Sequence, residues 1–428
     1  MTLKLKNNIL KLCLSFLLLF SIAFLLCGCG KKYKYNGEVY EDSYDYKNDY
    51  GYIYLEKTDK KVAKVYEELY MNMVDFNHKK QDVSEKDYKT LFLKGNLTDG
   101  PFIYDDLYKA YMYLTAWHPD FYWMNYYIED NGNYSLGISK PYIKNSDREK
   151  FDKKVNEELE KIDKLIENIT DEYDRIKFLS DYIMDNMYYA FENGVPSQSE
   201  WAHNIIGFFD RGTGVCESYA KVFKLLCDRY NIGNIPVTSE DHIWNLVEYQ
   251  NEWYVFDLTF SDDSNYLYFG KTEDFYNDKA HEYVKNLYEL PENKATMPLT
   301  LGTIKVKENG NTIYSTHSMD HAFSCLNNGN YEIVMECISD KTMTDFYMNS
   351  ISSNYTTLTI SSNQNSNEHM TLELGENISL TKDLTISNVF LYSTKRLTIT
   401  LNGNTLNLKN CILGDNIIIE GDSINYIN

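Results

Sequence analysis

The stretch "GTGVCESYAKVFKLLC", Gly212 to Cys227, decides the fold. Two glycines loosen the backbone ahead of Cys216 and open conformations closed to other residues. From Cys216 onward, Tyr219, Phe223, Leu226, Cys227 and Tyr230 recur at helical spacing and predict an amphipathic helix. Cys216 therefore stands at or next to a helix N-terminus. Unpaired N–H groups and the macrodipole there favour a thiolate over a thiol, and can hold an oxyanion. Cys227 reads as a core side chain. The helical rise puts it about 16 Å from Cys216, too far for a disulfide.

A nucleophilic cysteine needs a base, and the base needs an orienter. The next histidine stands in "DHIWNLVEYQNEWYVFDLTF", Asp241 to Phe260, which alternates like a hairpin turning at Gln250-Asn251. With an even loop centred there, opposed residue numbers sum to 501, so His242 faces Thr259. Asp257 lies two positions along that strand and shares the face of His242. Diagonal neighbours of this kind sit roughly 7 Å apart, within reach of an imidazole and a carboxylate.

These residues resemble the transglutaminase-like (papain-related) superfamily of cysteine acyltransferases and proteases, in its exported bacterial lipoprotein type. The motifs are Gly214-Val215-Cys216 opening a helix, His242-Ile243-Trp244-Asn245 on a strand, and Trp253 to Thr259 as a W-x-x-x-D-x-T-like strand. "WAHNIIGFFDRGTGVCESYA", residues 201–220, also looks like the family's approach to the nucleophile. The resemblance covers about residues 170–270. It implies a thioester formed by attack of Cys216 on a carbonyl, with His242 shuttling the proton and Asp257 holding the imidazole. The Cys216 amide would be one oxyanion donor. Trp201 and Asn204 are candidates for the second donor or for the site wall. Trp244 is either a wall or a core aromatic. The thioester then passes to an amine, which is transamidation, or to water, which is peptide or amide hydrolysis. The motifs leave both open.

Rival readings remain, beginning with Cys216, His242 and Asp257 as unrelated core residues, which would need three coincidences. Two more stand beside it. One is a catalytically silent binding module that keeps the fold. The other is a zinc site from the same residues, but no C-x-x-C or H-x-x-H occurs and further ligands are scattered. No glycine-rich phosphate loop or calcium loop is present, so the expectation is no metal and no cofactor. Glu217, Glu240, Asp241, Asp262 and Asp263 surround the motifs. They either attract an amine acceptor or simply face solvent, and solvent is the expectation. His203 reads as structural.

Lys+Arg number 42 against 63 Asp+Glu, a net charge of -21. A chain this acidic repels phosphate backbones, so nucleic acid is not an expected partner. The start carries Lys4, Lys6 and Lys11, then "LCLSFLLLFSIAFLLCGC", the pattern of a secretory signal. Leu26-Cys27-Gly28-Cys29 resembles a bacterial lipobox. It implies acylation of Cys29 and a lipoprotein on the outer face of the cytoplasmic membrane, held by buried chain methylenes. The alternative is an uncleaved spanning helix. Beyond this leader five cysteines remain, an odd and widely spaced set that is not a disulfide framework.

The expected organisation is α+β. Residues 1–29 form the signal peptide, 30–50 a polar tether, and 51–168 a helical region with a hairpin turning at "DNGN". Residues 169–290 are the transglutaminase-like core, with the Cys helix packed on an antiparallel sheet carrying His and Asp. After Pro291, runs such as "LTIS" (384–387), "LTITL" (397–401) and "TLNL" (405–408) alternate at intervals of roughly ten residues. Residues 291–428 thus read as an all-β domain, either a sandwich or a short solenoid. The expected substrate is a protein or peptide, with cell-wall peptide as one candidate.

Overall fold

The computed structural model describes residues 31–35, 38–42, 46–90, 104–128, 134–264, 266–275, 279–282, 290–337, 345–363 and 370–427. Cys29 and the leader lie outside the described residues, as does the tip of the first expected hairpin. No helix among the described residues is long and apolar enough to cross a membrane. The chain divides into two compact units.

The first unit holds residues 1–163, 204–211 and 284–290. Its helices are Tyr50–Thr58, Lys60–Lys79, Tyr104–Trp117 and most of Asn145–Ile166. Asp59 starts the second helix by accepting from Val62 N at 3.3 Å, which satisfies one orphan donor. The apolar stripe legible in the sequence, Val62, Val65, Tyr66, Leu69 and Met73, is buried. Strands Met124–Ile128 and Tyr134–Ile138 pair antiparallel, as the alternation predicts. The reading of 30–50 as a tether is corrected. Residues Lys31–Tyr35 and Glu38–Asp42 pair antiparallel. Tyr46 and Asp49 are buried, and Asp49 accepts from His118 Nε2 at 3.0 Å. A buried carboxylate needs such partners.

The second unit holds residues 164–203, 212–283 and 291–428. Its core sets helices Glu172–Asn186 and Cys216–Arg229 with a three-stranded antiparallel sheet ordered 252–256, 243–249, 234–238. The hairpin register pairs Asn245 with Phe256 and Leu246 with Val255, the expected sum. Gln250 and Asn251 take φ of 51° and 63°, the two positive values of a type I′ turn. Helix and sheet are joined through buried Asn245, whose Nδ2 donates to Ala220 O at 3.1 Å and to Asn234 Oδ1 at 2.8 Å. The fold is thus α+β with a transglutaminase-like core.

The β-rich region in the same unit is a solenoid and not a sandwich. After the antiparallel strands Thr303–Glu308 and Asn311–Thr316, the chain coils with parallel pairing in three sheets. Ile333, Ile360, Ile386 and Leu408 stack in one sheet. Leu372, Leu391 and Leu413 stack in the second. Ile378, Ile399 and Ile419 stack in the third. A sandwich would need antiparallel sheets facing each other. The region also contains one short helix, Met319–Ser324. The boundary near residue 290 is closely bridged: Ala295 N donates to Trp253 O at 3.0 Å, Tyr173 Oη to Thr300 O at 2.9 Å, and Lys271 Nζ to Tyr347 Oη at 3.2 Å.

Candidate active site

Cys216 is the first residue of its helix, with Val215 as the N-cap. Gly212 supplies a φ of 63° just before it, where only glycine is free of strain. Gly214 serves a different purpose. A Cβ there would stand 2.4 Å from Ser218 Cβ and 2.6 Å from Met187 Cε. It is the close approach, and not a special dihedral, that demands glycine. Tyr219, Phe223, Leu226 and Cys227 are buried on the stripe that the spacing predicts.

The thiol of Cys216 packs with Ala220 and Ile243 and is 9% exposed. Burial pushes it up to about 12, and the neighbouring charge of Glu217 adds to this. The backbone N–H groups of Ile243 and Glu217 act the other way. The expected bias toward a thiolate is therefore overcome: desolvation outweighs the helix terminus. Burial pushes the Tyr189 hydroxyl up to about 12, with the charge of Cys216 adding and its backbone N–H acting the other way.

His242 stands immediately before the central strand. Its backbone is fixed by Ser239, which donates N–H to His242 O at 2.9 Å and accepts His242 N–H at Oγ, 3.2 Å. The ring is buried, and its Nε2 lies 2.6 Å from Asp257 Oδ2. Asp257 is fully buried and follows the last strand, which ends at Phe256. Leu258 to Ser264 is helical and not the strand continuation expected. Asp257 caps this helix: its Oδ1 accepts Phe260 N at 3.0 Å, the usual task of an aspartate at a helix start. Burial raises its carboxyl, but bonds from His242 and then His281 hold it below the usual carboxylate range.

His281 is the residue that sequence reasoning missed. Its Nε2 lies 3.0 Å from the same Asp257 Oδ2. No spacing motif announces it, since it stands 24 residues beyond Asp257. Trp244 is buried and stacks at 5.8 Å on His242, with an edge contact at 5.1 Å to His281. It is a buried aromatic in contact with both imidazoles.

Trp201 packs on the cluster of Ala190, Ala202 and Val215, next to the residue preceding Cys216. Asn204 uses its carboxamide oxygen to accept Ile206 N at 2.8 Å. His203 is engaged on both ring nitrogens: its Nε2 pairs with Ser197 O at 3.0 Å and its Nδ1 bonds Glu217. Glu217 is therefore engaged, and Lys221 and His203 hold its carboxyl below the usual range against the opposing effect of burial. Asp262 likewise accepts from Tyr219 Oη at 2.8 Å. These two correct the expectation of solvent-facing acids, whereas Glu240 and Asp241 are exposed. All five cysteines of the described residues are free.

Two groups of side chains bring potential metal-ligand atoms within 4.8 Å of one another: His242 with Asp257 and His281, and Asp171 with Asp174 and His317. In the first group the 2.6 and 3.0 Å separations are hydrogen-bond lengths. Two ligands of a tetrahedral zinc ion stand about 3.3 Å apart. Protons fit these gaps better than an ion.

Residues 160–258 match the family model of the transglutaminase-like superfamily. That segment is a transglutaminase-like domain; it spans Cys216, His242 and Asp257 and ends before His281. Among solved structures, a TGase is 13% identical with a TM-score of 0.24, over 29% of this chain and 40% of that one. A chain from Cytophaga hutchinsonii, described provisionally as a cysteine protease, is 20% identical with a TM-score of 0.20, over 24% and 37%. This chain thus spans well under half of either structure, and the family match carries the assignment. No curated protein matches the chain.

Proposed function

We propose that this protein is an exported, lipid-anchored cysteine acyl-transfer enzyme acting on protein or peptide amides. The observation that carries the reading is the 2.6 Å contact of His242 Nε2 with Asp257 Oδ2, beside a helix headed by Cys216. With Nε2–H donated to the carboxylate, His242 Nδ1 keeps its lone pair and takes the thiol proton. Cys216 Sγ then bonds the substrate carbonyl carbon. Collapse of the tetrahedral species expels the amine, which receives the proton from His242, and leaves a thioester. An amine or water next attacks the thioester and frees Cys216.

The burial of the thiol bears on when charge separates. The thiolate–imidazolium pair forms as substrate displaces the packing around Sγ. The same burial favours the second reading, a silent binding module. Iodoacetamide labelling separates the two. Under the enzymatic reading Cys216 reacts far faster than Cys227, His242→Ala slows it, and Cys216→Ala folds normally but incorporates no amine. Slow and equal labelling of both thiols supports the binding module. Lipid attachment at Cys29 is tested by palmitate incorporation, which Cys29→Ala should abolish.

A further inference from the structure

Asp257 Oδ2 receives two imidazoles, His242 at 2.6 Å and His281 at 3.0 Å. His281 closes the short turn Lys279–His281 and lies outside the family match. Its ring is buried and enclosed. Tyr268 stacks on it at 5.3 Å with planes 16° apart, and Trp244 and Phe260 approach at 5.1 and 5.3 Å. Phe260 also lies 4.7 Å from the His242 ring. The aromatic frame thus grips both imidazoles, while Phe260 N holds the other carboxylate oxygen at 3.0 Å. With both oxygens engaged, the Asp257 carboxylate has no freedom to rotate away from His242.

We propose that His281 is a positioning residue of the Cys216–His242–Asp257 site, pinning Asp257 Oδ2 so that His242 keeps its proton on Nε2 and presents Nδ1 to the thiol. This rests on the reading of those three residues as a catalytic triad. His281 touches neither substrate nor sulfur in this role; it acts through the carboxylate. The effect is that of an outer partner on a ligating group, whose loss commonly costs about 10–100-fold in activity.

The charge environment gives a sign. Asp257 is faced by His242 and His281, with Cys216 and Tyr189 within electrostatic reach. Glu217 acts on Cys216 from the first turn of its helix, and Asp262 on the adjoining helix is engaged by Tyr219. His281 favours the ionised carboxylate. Removing it raises the Asp257 carboxyl, so the acid limb of Cys216 reactivity should move to higher pH.

The experiment measures iodoacetamide modification of Cys216 against pH in the full chain, for the wild type, His281→Phe, His281→Gln and His242→Ala. Mass spectrometry separates Cys216 from Cys227, and thermal unfolding checks the fold. His281→Phe should slow modification about tenfold near neutral pH and shift the acid limb upward. His281→Gln retains an N–H donor and should recover most of the rate. His281→Leu serves if phenylalanine is not accommodated. A His242-dependent wild type whose rate and pH profile survive the loss of His281 overturns this inference and leaves the triad standing. A wild type indifferent to His242→Ala overturns the triad reading and this inference with it. Calorimetric titration of the Cys216→Ala protein with zinc chloride supplies a third outcome. Tight binding of one ion, lost in His281→Phe, would overturn the proposal and give the three side chains to a metal.

Discussion

His242 Nε2 and Asp257 Oδ2 stand 2.6 Å apart although neither residue belongs to a strand. Each occupies the position just outside one end of a paired segment. The hairpin between them fixes their separation, and the helix beginning at Leu258 fixes the carboxylate. Asp257→Asn keeps the shape but turns an acceptor into a mixed donor and acceptor, which favours the wrong imidazole tautomer. Iodoacetamide modification of Cys216 should fall by at least about tenfold. Circular dichroism should be unchanged, and Cys227 should react as before.

Asn251 sits at a φ of 63° in the turn that sets this geometry. Asn251→Gly should leave stability within about 0.5 kcal/mol of wild type. Asn251→Val forces a β-branched residue into the left-handed region and should cost about 1–2 kcal/mol. Urea unfolding of the two variants, compared at equal m-value, checks the difference. Equal stabilities would mean the turn is not held in its I′ form.

Gly214 has no room for a methyl group, with Ser218 Cβ at 2.4 Å and Met187 Cε at 2.6 Å from the place it would occupy. Gly214→Ala should cost about 1–3 kcal/mol through overpacking and shift the start of the Cys216 helix. Denaturant unfolding reads the first effect, and altered Cys216 modification reads the second. A Gly212→Ala control addresses the dihedral instead and should cost about 1 kcal/mol.

Lys271 is buried, and desolvation brings its ammonium down to about 8. The folded value lies below the unfolded one, so the unfolded chain binds more protons between them. Stability therefore rises with pH from about 8 to about 10.5, by about 3 kcal/mol from this group. Below that window the full cost of the buried charge is present. Lys271→Met loses the bond to Tyr347 but removes that cost. It should be the more stable protein at pH 7 by about 1–2 kcal/mol, with the gap closing toward pH 10. Guanidinium titrations of both proteins at the two pH values test this, and a constant gap would contradict it.

Much of the core was legible because its signals are local. The stripe Tyr219, Phe223, Leu226 announces one helix, and the alternation around Gln250-Asn251 announces both strands and their register. The sequence reading placed Asp257 on a strand. It is a cap instead, a role that the run of Asp, Leu, Thr and Phe can carry as well. His281 was not legible, because its bond to Asp257 spans a segment without periodicity and depends on Tyr268, Phe260 and Trp244 converging on it. The depth of Cys216 was also hidden. Sequence shows a helix terminus, but the burial that opposes it depends on packing across elements, with Ala220 and Ile243 against Cys216. Choosing solenoid over sandwich needed pairing direction, which alternating runs such as "LTIS" do not encode. The stretch 30–50, polar and without helical period, likewise gave no hint that Lys31–Tyr35 and Glu38–Asp42 form a paired ribbon.

The stacked coils have a mechanical consequence. Each layer of Ile386, Leu391 and Ile399 leans only on the layer before and the layer after it. Cohesion is therefore additive along one axis, like courses of brick and unlike an arch. Damage to one course loosens its immediate neighbours and leaves distant courses intact.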